Sequence, residues 1–220
     1  MSLVRHEIAE AVPEHACATD AGAAAPPLAL TVKQKVALAA GSSVPASSIL
    51  VVDDHKLDFD YFVNNGITST ALASAGLGPG MLAARDVTTA QKLRALGFDA
   101  LDLATPAFCA QAVAAYGARD VAAQFIVTAS DAVAVAGSLA VSLLGLDLGT
   151  LLVMCAGSPA DAYAVLDQSK PRGQVLQGVA AETLLDTGLR SQALTSLGYT
   201  ALAVASQTRA TPAELEYLGF

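Results

Sequence analysis

The sequence predicts an all-α protein, an α-solenoid of short helices with about two ten-residue units in each coil. Three observations predict it: a lattice of glycines, an apolar residue four places before nearly every one of them, and a helix-capping sequence that fills the space between.

The lattice glycines stand at 66, 76, 97, 117, 137, 157, 178, 188, 198 and 219, separated by 10, 21, 20, 20, 20, 21, 10, 10 and 21 residues. Every gap is one or two units of about ten residues, the self-similarity that marks repeat architectures. Four residues before these glycines come Phe62, Leu72, Leu93, Val113, Val133, Val153, Leu184, Leu194 and Leu215, with Gln174 the exception. Between them, the same position holds Leu82, Leu103, Ala123 and Leu143.

The unit itself reads as a helix of about two turns and a tight reversal. In the stretch from Thr211 to Phe220, Thr211 suits an N-cap, Pro212 the first helical position and Glu214 the third, which completes a capping box. Leu215 and Leu218 share one helical face, and Gly219 fits the left-handed residue that ends a helix. The units Thr89 to Phe98 and Ser191 to Tyr199 repeat the pattern. So short a helix is unstable alone because nucleation is costly, so stacking on neighbours must hold it. Glycine persists at every second unit, while points between hold Asp86, Ala107, Val127, Asp147, Gln168 and Thr208. Two unlike turns per coil is the expectation that follows.

Taken from the N-terminus, residues 1–30 pass through Ala-Gly-Ala-Ala-Ala-Pro-Pro and read as a flexible arm that orders on binding. Residues 31–56 form an irregular or capping segment with a short helix at Lys33 to Ala40 and one strand-like run, Ile49 to Val52. Residues 57–220 are the repeat body.

Composition narrows the function. Hydrophobic residues make up 54% and charged residues 15%, which excludes disorder as the main state. A net charge of −8 and 5% aromatics exclude a nucleic-acid binder, which needs a basic face and stacking platforms. Cys17, Cys109 and Cys155 are odd in number and in no metal-ligand spacing, as expected of free thiols in a reducing, intracellular compartment. The first residues lack the apolar run of a signal peptide. From Ala132 to Ala160 the only charge is Asp147, and each uncharged piece is shorter than the ~20 residues of a membrane span.

The cadence Leu93-Arg94-Ala95-Leu96-Gly97-Phe98, with Leu194 to Tyr199 and Leu215 to Phe220, resembles the short Leu/Ala-Gly-Phe helical repeats found in arrays in some protist and large-virus proteins. The resemblance covers residues 57–220 and departs from the family at 127–157, where Phe is missing. It implies a repeat scaffold and carries no catalytic residues.

A second motif competes. Ile49 to His55, with Asp53 and Asp54, resembles the first strand and acidic pair of a response-regulator receiver domain. That resemblance implies Mg²⁺ held by Asp53 and Asp54, Asp102 as phosphoacceptor, a hydroxyl from Thr128 and a Lys-Pro at Lys170-Pro171. The gap from Thr128 to Lys170 is about twice what that fold allows, and no second strand is evident between Asp54 and Asp102. Asp53, Asp54, His55, Asp58 and Asp60 match no calcium or zinc spacing and read as a solvated acidic loop.

The expectation is therefore a non-enzymatic structural or interaction subunit with no cofactor and no metal. Its partners would be other protein subunits or further copies of itself, and no nucleic acid. The chain ends on a complete Leu-Gly-Phe with no polar capping repeat, so Leu215, Tyr217, Leu218 and Phe220 are the expected docking residues. A minor component of a virion, a cytoskeletal array and an organellar complex all suit such a composition.

Overall fold

A computed structural model describes residues 57–170 and 176–220, all within the unit Thr31–Phe220. The arm 1–30, the segment 31–56 and Pro171 lie outside the described residues. Among those described there are fifteen α-helices and no strand. The first five are α1 (Phe59–Asn64), α2 (Ser69–Ser74), α3 (Pro79–Ala83), α4 (Ala90–Ala95) and α5 (Ala100–Ala104). Then come α6 (Pro106–Tyr116), α7 (Ala118–Phe125), α8 (Ala129–Val135), α9 (Ala140–Leu143) and α10 (Leu148–Met154). The last are α11 (Pro159–Ser169), α12 (Ala181–Thr187), α13 (Ser191–Ser196), α14 (Ala201–Thr208) and α15 (Pro212–Leu218).

The ten-residue unit forms as its residues dictate. Thr89 is extended at φ −135°, and its hydroxyl accepts the Lys92 N–H at 3.1 Å, so α4 starts there. Thr211 and Glu214 make the reciprocal capping box on α15. At the other end the chain turns left-handed, as at Gly219 with φ +89°. The residue after the turn then donates its N–H back to the carbonyl five places earlier: Ile67 to Phe62 (2.9 Å), Leu77 to Leu72 (2.9 Å), Tyr199 to Leu194 (2.9 Å) and Phe220 to Leu215 (3.0 Å). This is the Schellman closure, and it explains the apolar residue four before each glycine, because that residue faces the apolar residue after it. Ile67, Leu77, Phe98 and Tyr199 are all buried. Each also immediately precedes the N-cap of the next helix, the place of a hydrophobic staple.

Helix contacts recur at every third helix, where the sequence suggested two units per coil. Side-chain hydrogen bonds between helices distant in sequence span 27 to 37 residues: Ser69 Oγ to the Gly97 carbonyl (28 apart), Arg190 to the Tyr217 carbonyl (27), Leu176 N–H to Gln207 (31), Ser196 to Tyr163 (33) and the Tyr116 hydroxyl to the Pro79 carbonyl (37). Helices accordingly pack on the third helix along: α3 on α6, α4 on α7, α5 on α8, α6 on α9 and α8 on α11. The alternation of glycine with other residues does not set this spacing. Asp86 and Arg209 adopt the same left-handed backbone as the glycines, at φ 64° and 58°, whereas Asp147 is extended at φ −117° and Ala107 and Gln168 lie within α6 and α11. Asp86 is held there by Lys92, whose Nζ donates to both its carboxylate and its carbonyl, at 2.9 and 2.8 Å. The coil recurs in sequence as well. Residues 68–98 align without a gap on 190–220, matching Ser69 with Ser191, Leu72 with Leu194, Leu93 with Leu215 and Phe98 with Phe220. The Ser69–Gly97 bond recurs as Ser191 Oγ to the Gly219 carbonyl, at 2.7 Å.

The core runs through the inward residue of each unit: Phe62, Leu72, Leu82, Leu93, Leu103, Leu184 and Leu194 are fully buried. In the middle the register slips. Val113 and Val133 are half-buried and Val153 is exposed, while Ala112, Val135, Leu152 and Cys155 point inward. The cause lies in α6 and α11, each eleven residues long and started by a proline, so an extra turn changes which positions face the core. Here coils also approach closely: the Gln168 amide donates to the carbonyls of Val133 and Ala136, and a β-carbon at Gly137 would meet the Gln168 carbonyl.

Leu194→Ala is expected to cost about 2–5 kcal/mol in urea unfolding, and the exposed Gln192→Ala within about 0.5 kcal/mol. Equal losses would refute this register. Gly66→Ala has open space and should cost only the left-handed strain, about 1–2 kcal/mol, whereas Gly137→Ala should cost clearly more because its methyl meets a carbonyl.

Candidate interaction surface

The helices fall into rows in steps of three up to α11, and the step from α10 to α12 is two. The first holds α1, α4, α7, α10, α12 and α15; the second α2, α5, α8, α11 and α13; the third α3, α6, α9 and α14. Side-chain stacking follows the rows, with Lys92 over the Phe59 ring at 5.0 Å and Arg94 over the Phe125 ring at 5.4 Å.

Charge is divided unequally among them. The helices of the third row contain no Asp, Glu, Lys or Arg at all. The other two rows carry Asp60, Lys92, Arg94, Asp102, Arg119, Asp120, Asp131, Asp161, Asp167, Glu182, Asp186, Glu214 and Glu216 on their helices, although α2, α10 and α13 among them are uncharged. Outward on the third row stand Met81 (46% exposed), Leu139 (47%), Leu143 (38%) and Leu202 (79%). Between Met81 and the pair Leu139 and Leu143 lies α6, which exposes Ala107, Ala110, Gln111 and Ala114. An open groove of about 510 Å³ runs between α3 and α6, with Gly80, Met81, Ala107, Phe108 and Gln111 on its walls. Uncharged apolar surface on this scale marks a contact site.

The four expected docking residues are split by the fold. Leu218 is fully buried, and Leu215 and Phe220 are half-buried against the core. Tyr217 alone is widely exposed, at 65%, and Arg190 pins it: the guanidinium lies 4.9 Å from its ring centre and donates to its carbonyl at 2.9 Å. The third row was not marked in the sequence by charge alone: charge-free runs at 61–84, 103–118, 132–146, 148–160 and 191–208 cover helices of all three rows. Read singly they suggest only a membrane segment. None of the described helices is long and apolar enough to cross a membrane.

Residues singled out for phosphotransfer have local duties. Asp53, Asp54 and His55 lie outside the described residues. Asp102 stands in the first turn of α5, where its carboxylate accepts the Asp99 N–H at 2.9 Å in a capping box. Burial raises its pKa, and that hydrogen bond partly offsets the rise. Thr128 caps α8 with Asp131 as its box partner, Lys170 closes α11, and Asp58 caps α1. No group of three or more His, Cys, Asp or Glu among the described residues is placed to hold a metal ion.

No family model matches this sequence, nor does any curated protein or any solved structure.

Cys109 and Cys155 are buried, and desolvation pushes both thiols up, Cys155 to about 11 with help from the Asp161 charge. A raised pKa keeps the unreactive thiol form at neutral pH. Peptide mapping after brief iodoacetamide treatment at pH 8 should find neither alkylated in the native protein and both alkylated in urea; native labelling of Cys155 would contradict this burial.

Proposed function

We propose that this chain is a non-enzymatic scaffold subunit, a solenoid of three-helix coils that holds protein partners within a larger assembly. The observation that carries the reading is the third row: an uncharged, outward surface on α3, α6 and α9, which pack on one another in succession, and again on α14. A repeat array suits that role, because each coil contacts its neighbours and offers one more patch of the same surface. The bonds between residues 27 to 37 apart support the solenoid, since each links helices about three units apart. An apolar, uncharged surface gains by being covered and gives no handle to nucleic acid, which is recognised through basic side chains.

Two measurements test this. Isolated natively from its own source, the chain should run in a complex larger than its own 22.2 kDa; a lone monomer would overturn the scaffold reading. Nearest-neighbour stacking predicts that Leu72→Ala raises amide hydrogen exchange in α2 and the coils beside it while 190–220 stays protected. Uniform loosening across the chain would refute the solenoid.

A further inference from the structure

We propose that the third row is a self-association surface, through which two copies of this chain pair about a two-fold axis lying along α6. The inference rests on the scaffold reading above and names the partner.

Charge is the first argument. The chain carries a net −8, and its charged helices lie in the first and second rows. Those rows mix basic α4 with acidic α12 and α15, so two copies meeting through them would have to desolvate charged side chains of both signs, which is costly. Through the third row they meet without desolvating a single charged helix residue, and the charged helices point away from the seam. An anionic lipid surface or a nucleic acid would find no basic side chain on these helices, and only Arg85 and Arg209 just beyond the ends of α3 and α14.

Shape is the second. The face carries a ridge and a groove on opposite sides of α6, since α6 packs between α3 and α9. The ridge is Leu139 and Leu143 on and before α9, and the groove is the cleft of about 510 Å³ between α3 and α6. A two-fold axis along α6 sets α9 of each copy over α3 of the other. Both ridges then enter both grooves, and the exposed alanines of α6 let the backbones approach at the centre. A patch that contains its own complement is what an isologous dimer needs.

Sedimentation equilibrium on the purified full-length chain tests the pairing. The mass should rise with concentration from 22.2 kDa to twice that value. Added salt should strengthen the pairing, because it screens the mutual repulsion of two acidic chains. Met81→Asp and Leu143→Asp alter exposed side chains and should each weaken association by about tenfold or more. Leu101→Asp, on a still more exposed leucine of the second row, should leave it unchanged, and circular dichroism melts should show all three variants folded. A monomer at every concentration, dissociation promoted by salt, or equal weakening by Leu101→Asp would each overturn the proposal. If the purified chain stays monomeric while the native complex is larger than one chain, the scaffold reading stands and self-pairing falls.

Discussion

A left-handed residue followed at once by a buried apolar one is the constraint on which the rest of this structure depends. The apolar residue closes the helix behind it and braces the start of the helix ahead, so a single side chain serves both ends of a corner. Ile67, for example, bonds back to the Phe62 carbonyl and stands directly before the Thr68 cap. Helices of five to seven residues have few internal hydrogen bonds and do not persist alone. They persist here because the corner terminates each one and places the next against the coil below. Unit length, inward leucines and coil spacing all descend from that corner.

The corner was also the most legible part of the sequence. Threonine or aspartate, an apolar residue four later and glycine four after that could be read directly, since each type is demanded by a local backbone need. Coil size was not legible in the same way. It depends on the angle each corner imposes, and Asp86 and Arg209 show that residues other than glycine adopt the same backbone. The central register was hidden because α6 and α11 keep the glycine spacing while lengthening the helix that precedes or follows it. The docking residues expected at Leu215 to Phe220 are divided between inside and outside for a related reason. One residue of a short amphipathic helix points inward, here Leu218, and hydrophobicity alone does not tell it from its exposed neighbour Tyr217.

Carboxylates in this protein are concentrated at helix starts. Asp58, Asp99, Asp131, Asp147 and Glu214 each accept backbone N–H groups there, and for Asp147 and Glu214 those bonds hold the carboxyl below its ordinary pKa. Acidic residues at helix N-termini are favoured by the free N–H groups and by the helix dipole. Three third-row helices use other starts: Pro106 begins α6, Gly78 precedes α3 and Leu139 precedes α9, whereas α14 is capped by Thr200 as α2 and α4 are by Thr68 and Thr89. Carboxylate caps are therefore confined to the first and second rows, though not every helix there has one.

Where each helix packs on the third one along, as from α3 to α9, the chain has a reading frame. Removing three successive helices there returns every later helix to its own row, so leucines, corners and the uncharged surface stay in line. Removing a single unit leaves each helix intact and its capping undisturbed, yet advances every later helix by one row. Charged helices would then continue the apolar row, and apolar helices would continue a charged one. In such a chain, length can change harmlessly only in multiples of three units, although no individual unit records that rule.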